Sequence, residues 1–107
     1  MASLQQLQKE YTVKLKPFFQ IDFEELAHRG IVEYLKNQLL ARELACFTVG
    51  KKYGVRTIDD LDALLRSGKL KEEEVSEDDY IELAELQKEI RALKAAIAEA
   101  TYGPTPA

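Results

Sequence analysis

The sequence predicts an all-α fold, a helical hairpin or small bundle with a short N-terminal strand or extended arm. Three observations carry that expectation. Apolar residues recur at helical spacing over most of the 107 residues. The interior is nearly unpunctuated, since only 5 Gly and 3 Pro occur and two of the Pro fall in the last four positions. Leu83, Leu86, Ile90, Leu93, Ile97 and Ala100 are spaced 3-4-3-4-3, which is a heptad seam.

Taken in order, residues 2–10 are compatible with the start of a helix, but the rhythm changes at YTVKLKPFF, residues 11–19. Val13 and Leu15 alternate with Thr12, Lys14 and Lys16 until Pro17 ends the alternation, which reads as a short strand or arm. A lone strand is unstable, so this one would pair with a second copy or with a partner's sheet edge. Asp22 suits an N-cap, with Glu24 and Glu25 in the first turn where negative charge favours the helix dipole. A helix is then expected over 22–53, with Gly30 as a place to break it and Gly54 as its stop.

That long helix is apolar on two sides. His28, Ile31, Val32, Leu35, Leu39, Cys46, Val49 and Tyr53 form one stripe, and Leu40, Leu44 and Phe47 form a second nearly opposite. Arg42 falls on the first stripe, where its head either snorkels to water or bridges an interface. Thr57-x-x-Asp60 caps a short helix over 57–67, closed by Ser67-Gly68. Ser76-x-x-Asp79 caps the last helix, over 77–100, which carries the heptad seam. Burying each large seam residue is worth about 1.5–3 kcal/mol, so the seam must be covered. The organisation is an arm over 1–21, a helical domain over 22–101 and a flexible tail over 102–107.

Composition narrows the function. At 46% hydrophobic and 32% charged residues the chain is too apolar for intrinsic disorder. Its net charge of −4 opposes a general affinity for nucleic acid. Charge is uneven, with Lys9, Lys14 and Lys16 against Glu10 near the start and six acids without a base over 72–79. Cys46 is the sole cysteine, so no intrachain disulfide forms. Without a leader or a membrane-length apolar run, the expectation is a soluble, cytoplasmic protein with no membrane association.

No catalytic, cofactor or metal motif is legible, and the chain reads as no enzyme and as needing no cofactor. His28 and Cys46 lie 18 residues apart, roughly 27 Å along an unbroken helix, too far for a dyad. Cys46 fits a small buried hydrophobe. The acidic run lacks the ligand spacing and central Gly of an EF-hand loop and reads as a solvated linker or a face for a basic partner. Dimerisation through Val13, Leu15, Leu35, Leu39, Arg42 and Cys46 would cover the arm and the first stripe.

The stretch from Ile31 to Ala100 resembles small, largely archaeal antitoxins of the broadly VapB-like kind. The pieces that carry the resemblance are Lys51-Lys52-Tyr53-Gly54, the short helix over 57–70, the acidic linker from Glu72 to Glu77, and Asp78-Asp79-Tyr80-Ile81-Glu82-Leu83. The resemblance implies a protein that wraps a toxin, often a PIN-type ribonuclease, and blocks it. It also implies that the last helix makes the contact, through Tyr80, Leu83, Leu86, Ile90, Leu93 and Ile97. Two alternatives stand beside it. One is a structural homo-oligomer, and the other is a DNA-binding regulator that uses Lys14 and Lys16 on a two-stranded ribbon.

Overall fold

The structure, a computed structural model, describes residues 3–103. These residues are mainly helical and contain no strand. The chain divides into two compact units, one ending at residue 34 and the other beginning at residue 35, so the division falls inside a helix.

The first unit opens with α1, Leu4–Glu10. Ser3 and Gln6 cap each other, the Gln6 N–H donating to Ser3 Oγ at 3.2 Å and the Ser3 N–H to Gln6 Oε1 at 2.9 Å. The helix widens into a π-helical turn, Tyr11–Leu15, and continues as α2, Lys16–Phe19. The expected strand is therefore replaced by helix. Alternation over 12–16 is too short to fix a period, and the wider spacing Leu4, Leu7, Tyr11, Leu15, Phe18 is helical. Pro17 sits in the first turn of α2, where its missing N–H has no intrahelical role. Thr12 satisfies its hydroxyl by donating to the Gln8 carbonyl at 2.8 Å. Gln20 then takes a left-handed conformation, φ 52°, which closes α2 and turns the chain.

Tyr11 is the buried side chain of this unit among the described residues. Its hydroxyl donates to the Ile21 carbonyl at 2.7 Å, and its ring lies 6.0 Å from that of Phe23 in a tilted pair. Lys16 and Asp22 form an ion pair at 2.8 Å, which holds Asp22 below its usual carboxylate range and Lys16 above its usual one. The helix that begins here, α3, runs from Phe23 to Gly50 without a break. Gly30 is accommodated inside it, so the expected interruption is absent; one exposed Gly costs only about 1 kcal/mol against Ala in a helix of this length.

In the second unit, α3 ends where Gly50 accepts from the N–H groups of Tyr53 and Val55, both at 3.0 Å. A Cβ on Gly50 would overlap the Val55 carbonyl oxygen, so the returning chain needs a glycine there. Gly54, at φ 70°, makes the reversal. Thr57 caps α4, Ile58–Arg66, accepting from the Asp60 N–H at 3.1 Å. A single 3₁₀ turn, Glu72–Glu74, leads to α5, Glu77–Tyr102, capped by Ser76 as its spacing predicts. Residues 104–107 of the expected tail lie outside the described residues.

Two cross-helix ion pairs fix the direction of the hairpin. Arg42 meets Glu89 and Lys52 meets Asp79, so ten residues forward from α3 correspond to ten residues back along α5. The core lies where the three elements converge and consists of Cys46, Val49, Val55, Leu61 and Leu83. Leu61 and Leu83 are fully buried, and Tyr53, Ile58, Leu64, Leu65, Leu86 and Ile90 pack around the cluster.

Candidate functional site

The polar groups of the second unit first account for how α5 is held. The Tyr53 hydroxyl donates to Asp79 Oδ2 at 2.6 Å and accepts from the Ser76 N–H at 3.2 Å. It thereby satisfies one of the donors that open α5 while anchoring the Asp79 carboxylate. Lys52 adds an ion pair at 3.3 Å. The Tyr53 hydrogen bond, with Lys52 behind it, holds Asp79 below its ordinary carboxylate range. One residue on, the Tyr80 hydroxyl donates to Asp62 Oδ1 at 2.8 Å, tying α5 to α4 and raising the Tyr80 pKa. These bonds are clamps between elements of one hairpin.

Beside the second clamp is an open groove of about 640 Å³. Leu65, Val75 and Tyr80 give it an apolar floor, and Asp62, Glu72 and Glu77 line it with carboxylates against Arg66. Among the described residues, no three His, Cys, Asp or Glu side chains converge as a metal site would require. No helix among them is long and apolar enough to cross a membrane.

Of the residues expected to contact a partner, Leu83 lies in the chain's own core, and Tyr80, Leu86 and Ile90 pack against it. Leu93 and Ile97 are half-buried. The hairpin register brings them level with Leu39 and Leu35, also half-buried, while the packed core takes in the seam from Leu83 to Ile90. Cys46 is buried in that seam, and burial raises its thiol pKa. Arg42, half-buried, donates from Nε to Glu89 Oε2 at 3.3 Å and from its other end to the Gln38 side chain. The salt bridge expected across an interface is thus made inside the hairpin.

The N-terminal residues fall differently. Val13 and Leu15 are exposed on helix at 67% and 48%, not on a pairing strand. Lys14 and Lys16 likewise belong to helical turns, and Lys16 is held by Asp22. Two residues apart on a helix, they do not face together as they would on a ribbon.

Among the described residues two groups of exposed apolar side chains remain, beside single ones such as Phe19, Ile31, Tyr34 and Ile81. Leu4, Leu7, Leu15 and Phe18 are exposed along the N-terminal helical segment. On α3, Leu40, Leu44 and Phe47 are more than half exposed on the side away from the core. The second stripe was legible as a side needing cover. The first is masked by the alternation over 12–16, although Leu4, Leu7, Tyr11, Leu15 and Phe18 recur at a 3-4-4-3 spacing.

A family model described as the uncharacterized protein MJ0235 family matches residues 9–103. The chain belongs to the MJ0235 family. The match takes in α3, α4 and α5 together with the π-helical turn, so the clamps and the exposed stripe of α3 in this MJ0235-family chain lie within it, as do Leu15 and Phe18 but not Leu4 and Leu7. No curated protein and no solved structure matches the chain.

Proposed function

We propose that this chain is a non-catalytic binding protein of the antitoxin kind, which holds and blocks a partner protein, and that its N-terminal unit is the recognising element. One observation carries the reading. From α1 to α2 the segment buries Tyr11 alone among the described residues, while Leu4, Leu7, Leu15 and Phe18 are exposed at 68, 49, 48 and 80%, with Val13 and Phe19 exposed beside them. Leu4 with Leu7 and Leu15 with Phe18 each have the i, i+3 spacing with which helices seat anchors in an apolar groove of another protein. The first part of the heptad seam of α5, from Leu83 to Ile90, is taken up by the chain's own core, which favours the N-terminal residues as the contact.

The antitoxin resemblance supplies the partner class, a ribonuclease toxin of the PIN type encoded beside this chain. Lys9 and Lys14 next to the stripe favour a partner whose groove carries acids, as a metal-dependent nuclease site does. The test is titration of the full chain into the neighbouring gene's product while RNA cleavage is followed. Stoichiometric loss of cleavage is expected. The double variant Leu7→Asp/Phe18→Asp is expected to weaken inhibition by about 100-fold, because buried anchors dominate such contacts. Its circular dichroism should match that of the parent chain. Failure of the parent chain to bind would remove the reading.

A further inference from the structure

We propose that a groove on the second unit is a binding site for a small organic acid, a molecule with one carboxylate on an alkyl or aryl body. The site lies wholly within that unit and depends on neither the inhibitor reading nor the N-terminal residues. It is a groove of about 380 Å³ where the end of α3, the connection into α4 and the middle of α5 come together. That volume falls in the range of small-ligand sites, about 300–1,000 Å³.

Two kinds of chemistry line it. Cys46, Phe47 and Ile90 supply an apolar wall, and Phe47 is exposed enough for its ring to meet an occupant. Burial pushes the Cys46 thiol pKa up, so the thiol stays protonated at neutral pH and brings no negative charge. Arg56 and Lys94 line the same groove from two different elements, and both are exposed. Arg42 and Lys52, by contrast, each pair with a carboxylate of α5. Arg56 and Lys94 make no ion pair or hydrogen bond among the described residues. Against these two cations the lining holds one carboxylate, Glu43, so the groove is net positive on a chain whose net charge is −4. A ligand that satisfies both parts carries a carboxylate to accept from the guanidinium and the ammonium, and an apolar body to displace water from Phe47 and Ile90. Inorganic phosphate would leave the apolar wall wet, and Glu43 disfavours its second negative charge.

Amide chemical-shift titration of the full chain at neutral pH tests the proposal. The probes are phenylbutanoate, its uncharged counterpart phenylbutanol, acetate and inorganic phosphate. Phenylbutanoate is expected to shift the amides of residues 55–57 and 87–94 with a Kd of about 1 mM. The other three each lack one part of the chemistry and are expected to bind at least about tenfold more weakly. Arg56→Gln and Lys94→Gln are each expected to weaken phenylbutanoate by about threefold to fivefold, and the double variant by about tenfold or more. Glu43→Gln is expected to strengthen it by about twofold. All three positions are exposed, so the variants should keep the dispersed spectrum of the folded chain. No shift at about 20 mM phenylbutanoate would overturn the proposal. So would shifts confined to other residues, the alcohol or phosphate binding as tightly as the acid, or a double variant that binds like the parent chain. Tighter binding of the peptide N-acetyl-leucyl-glutamyl-phenylalaninamide would give the groove to a polypeptide partner and would overturn it as well.

Discussion

Tyr53 shows how one hydroxyl can organise the start of a helix. It fills the Ser76 N–H and holds Asp79, and Asp79 in turn reaches Lys52. Because the folded carboxyl sits below its ordinary value of 3.8, the clamp is fully present above that pH and is lost as pH falls through the folded value. Unfolding by urea at a series of pH values should therefore show stability falling on the acid side of about pH 4, with Asp79→Asn flattening that fall. Glycine substitutions test the turn that precedes the clamp. Gly54→Ala must hold φ 70° and is expected to cost about 1–2 kcal/mol. Gly50→Ala drives a methyl into the Val55 carbonyl, so the backbone must shift, and the expected cost is about 1–3 kcal/mol. Thermal unfolding of the two variants measures both. The Gly54 stop and the Ser76 and Thr57 caps were legible because each is a local rule about a backbone conformation or an unpaired N–H. The Tyr53–Asp79 and Tyr80–Asp62 bonds were not, because they join residues 26 and 18 positions apart that only the packed hairpin brings together.

At the scale of elements, the heptad seam is the feature whose meaning changed most. Its spacing identified α5 correctly, but spacing says only that a seam must be covered, not by which chain. From Leu83 to Ile90 the cover is the chain's own core, where Leu83 is fully buried with Cys46 and Val49 of α3 and Leu61 of α4. Leu83→Ala is accordingly expected to cost about 2–5 kcal/mol by denaturant unfolding, whereas Leu44→Ala on the outer stripe should cost less than about 1 kcal/mol in the monomer. The N-terminal element departs from the expected strand for a physical reason. Val13 and Leu15 are two apart on a five-residue stretch, and a β-branched, proline-terminated run satisfies strand chemistry locally. Tyr11 decides otherwise. Its ring buries against Phe23 and its hydroxyl finds the Ile21 carbonyl, contacts that need the helical path through Gln20.

For the whole molecule, each unit has its own balance of buried and exposed apolar surface. Among the described residues, the second has a packed core and the two tyrosine–aspartate clamps, and the first has one buried tyrosine and a run of exposed leucines and phenylalanines. That asymmetry puts the packed core in the hairpin, and the proposal puts recognition in the N-terminal unit. Amide hydrogen exchange on the isolated chain tests it most directly. The account predicts slow exchange over 42–50, 60–66 and 80–93 and fast exchange over 4–19, with protection of 4–19 rising when the partner binds. If α5 exchanged as fast as the N-terminal segment and gained protection only with the partner, the seam would belong to the partner, and the account would be wrong.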